Sequence, residues 1–131
     1  MHFTKEAWHR LWNAIDLHGD SHAWFADLLE RYSEPHRHYH NTQHIEECLA
    51  EFEQFSSQAA HSVALEFAIW FHDAVYDPRR SDNEEQSAVL ALNCLEQGSF
   101  KQKQLVSDLI LATKTHDANN IPDAPLLLVI D

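Results

Sequence analysis

The stretch from His61 to Tyr76, HSVALEFAIWFHDAVY, decides the fold. Val63, Leu65, Phe67, Ala68, Ile69, Trp70, Phe71, Ala74 and Val75 fall on nearly every side when it is wound as a helix. A helix apolar all round belongs at the centre of a bundle. Inside this one stands the ionisable doublet His72-Asp73. Burying such a pair costs on the order of several kcal/mol unless its charges are paired or ligated. Two compensations fit: a hydrogen-bonded or helix-capping pair, or a divalent cation. Imidazole nitrogen with carboxylate oxygen suits Mn, Fe, Zn or Mg better than a soft-metal site, where thiolates are expected.

Working outward, periodicity and punctuation give six or seven helices and an all-helical chain. Thr4 caps a first helix with Trp8, Leu11, Trp12 and Ile15 inward and Gly19 at its end. A second spans about 20–32 with Trp24, Phe25, Leu28 and Leu29 on its apolar face, and Ser33-Glu34-Pro35 breaks it. The third runs from Asn41 or Thr42 to about Phe55, with Ile45, Leu49, Phe52 and Phe55 inward. Beyond the central helix, Ser81 and Glu84 have the spacing of a capping box for a fifth helix to about Leu95, closed by Gly98. A sixth covers about 101–115, and a loop from His116 to Pro122 leads to a new apolar segment from Pro125. That segment starts just before Asp131, which gives the expectation that the chain stops short of its natural fold.

Composition agrees with one packed domain over residues 1–131. Apolar residues make up 44%, and only 2 Gly and 4 Pro interrupt the chain, well below average usage of about 12% for the two together. The formal charge of −12 repels phosphate backbones, so no nucleic-acid polymer is expected as partner. Apolar runs are too short for a membrane span, and the first ten residues hold no apolar core of a secretory signal. Cys48 and Cys94 lack CxxC spacing and fit a reduced, cytoplasmic setting. The tryptophans read as core, and His2, His9, His18, His22 and His61 as surface. The chain holds 11 histidines.

Several of those histidines crowd the polar run Pro35 to His44. His40 and His44 are four apart and share a face if the helix reaches back that far. One could bind metal while the other faces substrate, or both could simply open a solvated helix.

Taken together, His44, the His72-Asp73 doublet and Asp131 resemble the pattern of the HD-domain superfamily of metal-dependent phosphohydrolases. Tyr39-His40-Asn41-x-x-His44 is also similar to the signature of cyclic-nucleotide phosphodiesterases. Closer still is a bacterial group of small helical HD phosphohydrolases, with versions of RxYHNxxHI, FHDxVYD, SDNEExSA and TxxH. Here those read Arg37 to Ile45, Phe71 to Asp77, Ser81 to Ala88 and Thr113 to His116, so the resemblance runs from about Tyr32 onward. Members of that group continue into further helix beyond the last Asp.

The resemblance implies a single HD-type helical bundle in which His44, His72, Asp73 and Asp131 hold a divalent cation, its identity open among Mn, Fe, Mg, Zn and Ni. It implies hydrolysis of a phosphate mono- or diester, of a nucleotide or related small metabolite, with Asp73 catalytic and His40 protonating the leaving oxygen. His40 could instead only cap the turn. Arg79, Arg80, Glu84 and His116 are substrate-facing candidates, and Asp77, Glu84 and His116 could serve a second metal. A noncatalytic metal-binding interaction module is the rival reading, a di-iron oxygenase on the same scaffold another, and a homodimer is left open.

Overall fold

The structure, a computed structural model, describes residues 1–118 and 120–131; the part of the expected His116–Pro122 loop at Asn119 lies outside the described residues. Among the described residues there are seven α-helices and no strand: α1 Lys5–Ile15, α2 Ser21–Tyr32, α3 Thr42–Phe55, α4 Ser62–Phe71, α5 Asn83–Leu95, α6 Lys103–Thr115 and α7 Ala124–Ile130. No helix is long and apolar enough to cross a membrane.

As the apolar pattern demands, α4 is the central element, packed against α1, α3, α5 and α6. From Ala64 to Phe71 every residue is buried. Trp8, Phe67, Trp70 and Phe71 form one aromatic stack through this centre. Trp8, Trp12 and Trp70 are core, whereas Trp24 is half-buried against Phe71. Leu29, expected inward, is exposed on α2. The one acid on this central helix, Glu66, accepts from Arg10 at 3.0 Å and from the Trp70 indole at 3.3 Å, which offsets its desolvation.

Helix starts follow side-chain chemistry. Thr4, Asp20 and Asn41 accept from the backbone N–H of Ala7, Ala23 and His44, each satisfying one orphan donor. Two expected boundaries change. The first helix ends on Asp16, left-handed at φ 62°, rather than at Gly19. The Ser81/Glu84 capping box does not form: Asp82 is the N-cap of α5, and its carboxylate is bound by Arg80 at 2.7 Å and by Gln86 at 3.2 Å. Gly98 is needed for close approach, since a Cβ there would sit 2.9 Å from the Asp16 carbonyl oxygen.

The largest correction concerns the doublet. α4 ends at Phe71, so His72 and Asp73 lie in the turn at its carboxyl end, not inside it. Continuing the helix would satisfy the following backbone internally, but outside partners do so instead. Arg37 donates to the carbonyls of Asp73 at 2.6 Å and Ala74 at 2.7 Å. Ser87 Oγ accepts from Val75 N–H at 3.0 Å, and Asn83 Oδ1 from Asp77 N–H at 3.1 Å. With these backbone groups paired outside the helix, the segment can leave the helical path.

Candidate metal centre

Three helix ends meet at one place. The first turn of α3 carries His44, the turn after α4 carries His72 and Asp73, and α7 leads into Asp131. α7 is docked by buried Ala124, Leu127 and Ile130, with Pro125 opening its first turn. His40 lies just before α3 in a loop fixed by Arg37, which donates to the His40 carbonyl at 2.8 Å.

Ring nitrogens and carboxylate oxygens alternate around this meeting point. His44 Nε2 is 3.3 Å from Asp73 Oδ2 and 3.2 Å from Asp131 Oδ1. His72 Nε2 is 3.2 Å from Asp73 Oδ2 and 2.9 Å from Asp131 Oδ1. Asp73 Oδ2 also bonds His40 Nδ1 at 2.9 Å. The His72 tautomer follows from its other nitrogen: Nδ1 faces the Ile69 carbonyl at 2.7 Å, and a carbonyl only accepts, so Nδ1 carries the proton. This leaves Nε2 directed at the carboxylates, the ring orientation that a backbone carbonyl on the other nitrogen gives a metal-ligating histidine.

Electrostatics couple the four groups. Burial opposes a charged imidazole at His44, but the bonds to Asp131 and Asp73, helped by Cys48, override it and push its pKa up to about 12. At His72 burial is likewise outweighed, by the Asp73 charge and the Asp131 bond, and its pKa rises. Burial would raise Asp73, yet the His72 charge and bonds from His40 and His44 hold it well below the usual carboxylate range. Asp131 is lowered in the same way, against burial, by His44 and His72. These shifts favour charged imidazoles facing charged carboxylates, an arrangement in which a divalent cation can stand in for the shared protons.

All five of these residues are brought together. The donor atoms form two overlapping groups, each mutually within 4.8 Å: His44, Cys48, His72 and Asp131, and His40, His44 and Asp73. The other candidates sit elsewhere among the described residues. Arg79 and Arg80 are exposed and pair with Asp77 at 3.2 Å and Asp82 at 2.7 Å. They line, with Arg31 and His36, a cleft of about 620 Å³ that shares Ala74 to Tyr76 with the doublet's turn. Glu84 lies in the first turn of α5, and His116 is the exposed, left-handed C-cap of α6. A second hollow of about 220 Å³ opens at His44 itself, between His38, Tyr39, Asn41, Gln43 and Glu47.

Two residues named in the sequence reading, Cys48 as a cysteine without CxxC spacing and Arg37 as the first of the RxYHNxxHI stretch, had no role there at the site. Cys48 lies 3.6 Å from His44 Nε2 through its Sγ, a neighbour that four-residue spacing on α3 could have signalled. Arg37, only 5% exposed, joins the histidine loop to the doublet's turn and stacks between Tyr32 and Tyr76. No periodicity marks it. Compared with protein-family models, curated proteins and solved structures, the chain matches none.

Proposed function

We propose that this chain is a metal-dependent phosphohydrolase of the HD type, cleaving a phosphate mono- or diester of a nucleotide or related small metabolite. The observation that carries the reading is the alternation of His44, Asp73, His72 and Asp131 donor atoms at 2.9 to 3.3 Å. Adjacent ligands on one cation with bonds of about 2.0 to 2.2 Å lie about 2.8 Å apart in octahedral and up to about 3.6 Å apart in tetrahedral geometry, so the edges fit. His44, His72, Asp73 and Asp131 would hold the cation, drawn from Mn, Fe, Mg, Zn or Ni. Bound there, it supplies Lewis acidity toward phosphoryl oxygen and toward water.

His40 has the geometry of a proton donor. Its Nδ1 is engaged by Asp73, which orients the ring and leaves Nε2 as the nitrogen to serve a leaving oxygen. Tyr76 packs against that ring with centroids 4.6 Å apart and restricts its rotation. Arg79 and Arg80 line the neighbouring cleft, where a substrate's more distant anionic groups could be received by exchanging them for Asp77 and Asp82. The two free, buried cysteines are in keeping with a reducing compartment such as the cytoplasm.

The near-complete burial of His44 and His72, at 5% and 1% exposure, favours one competing reading, a metal staple without catalysis. Elemental analysis of the protein beside Asp73→Ala, followed by a phosphoester screen in the metal found, separates them. At least one equivalent of metal, lost in the variant, with turnover supports the hydrolase. Metal without turnover supports the staple, and no metal after reconstitution overturns both.

A further inference from the structure

We propose that Cys48 is a ligand of the same centre and that its thiolate makes the site selective for a borderline-soft cation of the zinc, cobalt(II) or iron(II) kind over magnesium or manganese. The inference rests on the metal-centre reading above and deepens it by naming the class of ion.

The geometry is that of a shared ion. His44 and Cys48 are one helical turn apart on α3, and Cys48 Sγ stands 3.6 Å from His44 Nε2. On a tetrahedral cation with bonds of about 2.3 Å to sulfur and about 2.1 Å to nitrogen, two donors lie about 3.6 Å apart. His44 Nε2 and His72 Nε2 reach Asp131 Oδ1 at 3.2 and 2.9 Å, and these three donor atoms with Cys48 Sγ all lie within 4.8 Å of one another. The thiol's other polar neighbour, the Ile130 carbonyl, is 3.9 Å away, a weak bond that a metal would readily replace. At 2% exposure, Cys48 on α3 is closed to solvent, with its Sγ facing the Ile130 carbonyl next to Asp131.

Ligand softness points the same way. Cys48 forms one candidate group with His44, His72 and Asp131, and Asp73 joins His44 and His40 in the overlapping one. Thiolate donors are poor partners for magnesium and good ones for zinc and iron. Cys94 is the contrast: it is fully buried, belongs to neither candidate group among the described residues, and burial pushes its thiol pKa up.

Cobalt(II) loaded into the whole chain tests this without assaying activity. The expected result is a near-ultraviolet thiolate-to-cobalt charge-transfer band that is lost in Cys48→Ser and in Cys48→Ala and kept in Cys94→Ser. The zinc-loaded protein should show a sulfur shell at about 2.3 Å by X-ray absorption, and Cys48→Ser should reduce the preference for zinc over manganese at least ten-fold in competition. Stoichiometric cobalt without the thiolate band overturns the role of Cys48 and leaves the metal centre standing. Failure of the unmodified protein to bind cobalt or zinc overturns both.

Discussion

Arg37 and Asp73 meet side chain to backbone: the guanidinium donates to the Asp73 carbonyl at 2.6 Å while the Asp73 carboxylate is left to face the histidines. The same guanidinium holds the Ala74 and His40 carbonyls and the Glu34 carboxylate. One buried side chain thus fixes the relative position of the histidine loop and the doublet. Arg37→Ala should cost about 3 kcal/mol, the scale of losing hydrogen bonds from a buried charged donor. Arg37→Lys keeps the charge but not the fork, and should recover only part of that. Urea unfolding of the two variants, read beside their metal affinity, checks this; an affinity unchanged in both would mean that the turn holds its shape alone.

Metal affinity should rise with pH. The facing carboxylates hold the His44 and His72 pKa values up, and a metal ligand must be deprotonated, so binding is expected to expel protons. Each proton displaced tightens binding about ten-fold per pH unit. Calorimetry in two buffers of different ionisation enthalpy counts the protons, and a pH-independent affinity would show that the imidazoles are already neutral.

The metal-free protein should respond with the opposite sign on the alkaline side. His44 is raised, so its stabilising share is complete below its unfolded pKa of about 6.5 and declines as pH climbs through that value toward the folded one. Asp73 and Asp131 are lowered, so their share holds above about 3.9 and is lost as pH falls toward their folded values. Thermal melting should therefore peak between about pH 4 and 6.5, a window set by those unfolded-state values. A melting temperature that keeps rising above neutrality would contradict the paired arrangement.

His40→Ala should retain the metal and lose turnover by about 10²- to 10⁴-fold for esters with poor leaving groups, the range of general acid catalysis. Esters with activated leaving groups should lose much less. Equal loss for both kinds would assign His40 a positioning role through Asp73.

Leu127→Ala removes a fully buried side chain from α7, at a cost of about 2 to 5 kcal/mol. Because that helix leads into Asp131, the variant should also bind metal less tightly, and saturating cation should restore part of its stability, about 2.7 kcal/mol at a hundred-fold excess over Kd. Melting curves with and without metal test the coupling.

Much of this architecture was open to reading from the residues. The third helix begins at Thr42 because Asn41 caps it, and the central helix is legible because Glu66 is the one polar residue from Val63 to Phe71. The end of that helix was not legible. Ala74 and Val75 continue the apolar pattern, and what turns the chain is Arg37, Ser87 and Asn83 reaching in from other segments. Cys48 was hidden for a similar reason: as a small buried residue on an amphipathic helix, it differs from a core cysteine only by what stands across from it.

Placing the doublet at the carboxyl end of α4 also changes the field that the backbone supplies. Aligned peptide dipoles leave about half a negative charge at a helix carboxyl end and half a positive one at an amino end. His72 and Asp131 follow the carboxyl ends of α4 and α7, while His44 stands in the amino-terminal turn of α3. The peptide groups alone therefore polarise the meeting point before any side chain ionises, negative beside His72 and Asp131 and positive beside Asn41. A mid-helix doublet would have had no such gradient.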